Sequence, residues 1–164
     1  MSNYFSVKIA PDFEQRYPDS SAKATECAMN LVFTADLLEK HIASLLLPLN
    51  LSPATGLVLS ILADSETPIS PNHIADRLII SRASVTSLLD SLEKRGYVER
   101  QPHPSDRRML LVELTNSGRL VANQFRLIVH QHQKVWLSAL NEKEQELLIQ
   151  LLHRLQTSLK DSSR

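Results

Sequence analysis

The order of apolar and polar positions divides the chain into eight elements. Leu31, Ala35, Leu38, Ile42 and Leu45 are spaced 4, 3, 4 and 3. That is the heptad seam of a helix packed on another helix, predicted from about Ser20 to Leu47 and stopped by Pro48. Ser52-Pro53 opens a second helix, Ser as N-cap and Pro at the first helical position, with Leu57, Val58, Ile61 and Leu62 as its apolar face. Asp64 to Pro68 ends it. Ser70-Pro71 repeats the signal for a short helix bearing Ile74, Ala75 and Leu78. Ser81 caps the next, whose core face is Val85, Leu88, Leu89 and Leu92, and Gly96 is placed to close it.

Two strand-like runs follow, Tyr97–Gln101 and Met109–Leu114. Pro102 and Pro104 block pairing between them, so the pattern predicts a hairpin with an exposed tip. Thr115 caps a helix running to about Leu140, with Val121, Phe125, Ile128, Val135 and Ala139 on one stripe. Asn141 and Glu144 form a capping box for a last helix carrying Leu148, Leu151, Leu152, Leu155 and Leu159. The order is α–α–α–α–β–β–α–α. Two short helices, a tight turn and a hairpin make a winged helix-turn-helix. The expected class is mainly α with a small β-hairpin wing.

The 164 residues form a single chain-long unit. Its expected parts are an irregular arm over 1–20, dimerisation helices over 21–50 and 116–160, and a winged-helix lobe over 52–115. Leu31, Leu38, Ile42, Leu45, Leu148, Leu152 and Leu155 are the candidate dimerisation residues, because the small lobe cannot cover these stripes.

Composition narrows the class. Three glycines against 28 leucines favour long helices over glycine-loop nucleotide-binding folds or β-sandwiches. No run of about 18 apolar residues marks a transmembrane helix. The first residues lack a basic-then-apolar export pattern, and a lone cysteine forms no intrachain disulfide, so a cytoplasmic protein without membrane contact is expected. Eighteen Lys and Arg balance eighteen Asp and Glu, so DNA binding must rest on local charge. Between Asp76 and Arg108 there are seven basic and five acidic residues, and His73 and His103 add to the surplus when protonated.

The helix opened by Ser81 is the candidate reader of double-stranded DNA. Arg82, Ser84, Thr86 and Ser87 reach outward while Val85 points inward. The helix dipole and free N–H groups at Ser81 favour a phosphate, and Ser70 joins the set at the start of the preceding helix. Arg107 and Arg108 sit on the wing tip, where an arginine entering the narrow minor groove meets concentrated negative potential. Asp106 is placed to hold Arg108.

Three segments, Leu88–Arg100 (LLDSLEKRGYVER), Pro104–Arg108 (PSDRR) and Leu114–Arg119 (LTNSGR), together resemble the MarR family of transcriptional regulators, over about residues 31–160. The resemblance implies a homodimer with interleaved terminal helices and two reading heads on a pseudo-palindrome. Arg108 would enter the minor groove, braced by Asp106. It also implies a small aromatic or phenolic effector, bound between lobe and dimerisation helices, that releases DNA. Two positions depart from the pattern: Ser87 stands where the family often has Arg, and Ile79-Ile80 fills a turn where smaller residues are common.

Other chemistry is thin. Some family members sense peroxide through a cysteine near position 27, which makes Cys27 the redox candidate. With Leu31 rather than Tyr one turn on, a buried inert thiol is expected. His130 and His132 point about 200° apart on a helix and make a poor metal pair. Ser91-Leu92-Glu93-Lys94 matches an S-x-x-K motif whose partner motifs are absent. No enzyme, cofactor or metal is expected. A winged helix devoted to protein contacts, suggested by the zero net charge, is the alternative to a DNA reader.

Overall fold

The structure is a computed structural model that describes residues 7–106 and 109–162. The helices are α1 (Phe13–Arg16), α2 (Ala22–Leu46), α3 (Pro53–Ala63), α4 (Pro71–Leu78), α5 (Arg82–Lys94), α6 (Asn116–Leu137) and α7 (Glu142–Asp161). Strands β1 (Val98–Pro102) and β2 (Leu110–Leu114) form an antiparallel hairpin between α5 and α6. The fold is mainly helical with a hairpin wing, as the pattern predicts.

The caps act where the sequence places them. Ser52, Ser70, Ser81, Thr115 and Asn141 each accept a backbone N–H from the residue three further on. Gly96, at φ 71°, turns the chain out of α5 while the Tyr97 N–H reaches back to the Leu92 carbonyl at 3.0 Å. This is a left-handed closure that glycine adopts without a Cβ penalty.

The core lies inside the lobe. Leu46 enters from the end of α2 and meets Val58 and Leu59 of α3, Ile74 of α4, Val85, Leu89 and Leu92 of α5, and Val112 of β2. The Phe125 ring of α6 covers Gly56 so closely that a Cβ there would overlap it. Arg126, beside it, ties α6 to the end of α3. Its Nε donates to Ser60 Oγ at 3.0 Å and its Nη2 to the Ser60 carbonyl at 2.7 Å, and it pairs with Asp64.

Several boundaries and faces differ from expectation. The arm is not wholly irregular: residues 13–16 form one helical turn, supported by an Asp12–Arg16 ion pair and the Phe13 ring against Tyr17. The arm is fastened to α2, where the Val7 N–H meets Asn30 Oδ1 and the Ile9 N–H meets Glu26 Oε1, both at 3.1 Å. β1 is shifted by one residue to end at Pro102, opposite Leu110. Ile69, read as loop, exchanges two backbone hydrogen bonds with Val112 and adds a one-residue third rung. Leu57 is exposed, because α3 is buried on nearly every other side and Leu57 faces the remaining one. In α6 the buried stripe is Ala122, Phe125 and Val129, whereas Val135 is 67% exposed. The second half of α6 runs past the lobe; His41 of α2 meets Trp136 there, and the Val135 side is left open in the single chain.

Candidate nucleic-acid interface

The candidate reading helix, α5, is built by one buried stripe. Val85, Leu89 and Leu92 are fully buried, which fixes how α5 is rotated and turns Arg82, Ser84, Thr86 and Ser87 to solvent. Ser81 Oγ accepts the Ser84 N–H at 3.1 Å and shares a 2.8 Å hydrogen bond with Ser84 Oγ. Thr86 Oγ1 donates to the Arg82 carbonyl at 3.0 Å, and Ser87 Oγ to the Ala83 carbonyl at 3.2 Å. The Thr86 and Ser87 hydroxyl protons are turned back onto the helix, so their oxygens offer acceptor lone pairs outward. Ser70 is half-buried and caps α4 by accepting the His73 N–H at 3.3 Å.

Hydrogen bonds tie the two sides of the wing beyond its strands. The His103 N–H donates to the Met109 carbonyl and the Met109 N–H to the Asp106 carbonyl, both at 2.9 Å. His103 Nδ1 accepts the Ser105 N–H at 3.2 Å, which leaves the ring proton of the neutral imidazole on Nε2. Asp106 is exposed. Arg107 and Arg108, the wing cations singled out from the sequence, lie outside the described residues.

Two further arginines organise the interface, and charge counting along the sequence did not distinguish them. Arg100 on β1 pairs with Asp90 at 2.6 Å and Glu93 at 3.4 Å, both on α5. It ties wing to reading helix. Thr86, Asp90 and Glu93 share one stripe of α5, at i, i+4 and i+7, which is the sequence signal that something cationic packs there. Arg95 donates to the Asn50 carbonyl at 2.6 Å and the Leu49 carbonyl at 3.1 Å, and its guanidinium lies 4.7 Å from the Tyr97 ring centroid. It joins the end of α5 to the chain leaving α2.

Outside the lobe, Leu31, Leu38, Leu148 and Leu155 are exposed in the single chain, and Leu45 and Leu152 are half-buried. Ile42 packs against the lobe's own core. Cys27 is exposed on α2, not buried: only Leu46, at the far end of that helix, is buried in this chain. His132 Nδ1 lies 2.9 Å from the Ile128 carbonyl. The His41 and His132 rings each stand 6.0 Å from the Trp136 ring, joining α2 to α6. No single helix among the described residues is long and apolar enough to cross a membrane.

The arrangement has counterparts among known proteins. The sequence model of the MarR family matches residues 49–109, the stretch from the end of α2 to the wing. The chain is 28% identical over 165 residues to the HTH-type transcriptional regulator PecS of Dickeya dadantii (strain 3937), covering 97% of this chain and 98% of PecS. Its backbone superposes on the transcriptional regulator BldR of Sulfolobus solfataricus with a TM-score of 0.72 and 26% identity, over 82% of this chain and 96% of BldR. MepR of S. aureus, solved as a DNA complex, superposes with a TM-score of 0.76 over 80% of this chain and 96% of MepR; at 22% identity that likeness speaks for the fold.

Proposed function

Because this chain belongs to the MarR family of transcriptional regulators, we propose that it is a homodimeric repressor that reads a pseudo-palindromic operator. The observation that carries the reading is the two-sided build of α5: a fully buried Val85, Leu89 and Leu92 stripe behind an exposed Arg82, Ser84, Thr86 and Ser87 face. The small Ser84, Thr86 and Ser87 side chains let the helix backbone approach base edges in the major groove. The outward lone pairs of Thr86 and Ser87 suit the amino groups of adenine or cytosine. Arg108 takes the minor groove and Asp106 braces it. Each half-site belongs to one lobe of a dimer held by α2, α6 and α7. The protein works in the cytoplasm.

Release of DNA by a small aromatic or phenolic effector belongs to the same reading. The His41, Trp136 and His132 rings, where α2 meets α6, supply an aromatic surface just outside the lobe. A coupling of about 1–3 kcal/mol is enough for a 5- to 150-fold change in DNA affinity. The exposure of Cys27 favours a second trigger, thiol oxidation. A Cys27→Ser variant that still loses DNA on peroxide treatment rejects it.

Fluorescence anisotropy on DNA from upstream of the protein's own gene, against scrambled DNA at two salt concentrations, tests the reading. Affinity should be sequence-selective and fall steeply with salt, because bound protein displaces counterions. Arg108→Ala should weaken it while leaving the dimer intact. Weak binding that ignores sequence and changes little with salt would favour the protein-contact alternative.

A further inference from the structure

The turn between α4 and α5 carries more than a helix stop requires. Ile79 closes α4 in the left-handed region, at φ 56° and ψ 43°. Its N–H and that of Ile80 both donate to the Ala75 carbonyl, the latter at 3.2 Å. This closure needs a left-handed residue, and glycine or asparagine meets the need at lower cost. A β-branched side chain there is a conformational outlier. Asn50, the other non-glycine residue with positive φ among those described, is of the tolerant type. Nor does packing within the chain account for the side chain. Ile79 is 67% exposed, and Ile80 beside it is 36% exposed. One turn thus bears both backbone strain and exposed hydrocarbon.

The place of the turn limits what covers it. Consecutive Cα atoms lie about 3.8 Å apart, so Ile79 and Ile80 stand within about 8 Å of the Ser81 N-cap. That is the end of α5 which enters the major groove in the function proposed above. Most of what a duplex presents there is polar; the apolar group is the thymine C5-methyl. We infer that Ile79, with Ile80 beside it, is a specificity-determining contact to thymine methyl groups at the edge of each half-site. The serine and threonine hydroxyls of α5 approach base edges through hydrogen bonds, and the isoleucine pair distinguishes thymine by its methyl. The inference rests on the DNA-binding reading.

The test uses the full chain and a duplex that the wild-type protein selects from a randomised pool. Thymines of that duplex are replaced by deoxyuridine, which deletes the methyl alone. Wild type should bind about fourfold more weakly for each contacted methyl removed, the change expected for one methyl-sized apolar group. Ile79→Asn should bind the thymine duplex more weakly and no longer distinguish it from the deoxyuridine duplex at those positions. At equal protein concentration the same variant should melt about 2–4 °C higher, because the strain is relieved. Ile79→Gly, which adds no polar group, should match it in DNA binding. Wild-type indifference to every methyl, or full discrimination by both variants, overturns the inference and leaves DNA binding standing. A pool from which no sequence is selected overturns the DNA-binding reading and this inference with it.

Discussion

Gly118 sets how closely α6 approaches the hairpin. A Cβ at this position would collide with the Tyr97 carbonyl oxygen, which also receives the Thr115 N–H at 3.1 Å. Thr115 Oγ1 and Ser117 Oγ both donate to the Gly96 carbonyl, at 2.6 and 2.8 Å. The Leu114-Thr115-Asn116-Ser117-Gly118 motif is therefore a clasp between the start of α6 and the end of α5. Gly118→Ala should destabilise the protein by about 1–3 kcal/mol, the usual cost of forcing extra volume into a packed site. A lower midpoint in urea denaturation checks it; an unchanged midpoint would mean the clasp relaxes freely. At this scale the sequence was most legible for residues whose role is local. The caps and Gly96 act within a few residues of themselves, so spacing reveals them. The roles of Arg95, Arg100 and Arg126 depend in part on partners 46, 10 and 66 positions away, and no local pattern names such partners.

Among elements, the hairpin and α5 behave as one piece because Arg100 holds Asp90 and Glu93. In the proposed complex, removing it leaves two carboxylates near the duplex without their counter-ion. Arg100→Ala should therefore weaken DNA binding more than a lost surface ion pair weakens folding, which is about 0–1 kcal/mol. Anisotropy and urea midpoints measured on the same variant separate the two effects. Adding Asp90→Asn to Arg100→Ala should restore part of the affinity. The arm is a second such joint. Glu26 is held below the usual carboxylate range by the Ile9 N–H and then by Lys23. A lowered value in the folded chain means this contact is in full force above the ordinary pKa of 4.5 and is lost as pH falls through the lowered one. The Ile9 amide should lose its protection, measured against the unstructured exchange rate at the same pH, only under that acid condition, whereas Asn30→Ala should free Val7 near neutral pH. Helix periodicity located every long element, since 3.6-residue spacing persists over many turns. The helical turn at 13–16 and the Ile69 rung were missed because one turn or one residue leaves no period to read.

At the scale of the whole molecule, the lobe is self-sufficient and the outer helices are not. No residue of the 20-residue α7 is buried, and α2 buries only Leu46. Yet α7 carries exposed Leu147, Leu148, Ile149, Leu151, Leu155 and Leu159, and α2 carries Val32, Phe33, Leu37 and Leu38. In proteins most of a helix's stability comes from packing its apolar face, so a second copy of the chain is the natural cover. Leu38→Asp combined with Leu155→Asp should yield monomers in sedimentation velocity, with operator affinity sharply reduced because each head then binds alone. A dimer that survives both charges would place the interface elsewhere. The apolar stripes that suggest pairing were plain in the sequence. Which half of α6 belongs to the lobe was not, since a heptad seam looks alike whether its cover lies within the chain or on a partner.

The most direct test of the central claim is selection of duplexes from a randomised pool by the full-length protein, followed by the number of chains bound per selected duplex. The account predicts an enriched inverted repeat, its half-sites about one helical turn (10–10.5 base pairs) apart, holding two chains. A pool that shows no enrichment, or a single asymmetric site holding one chain, would contradict it.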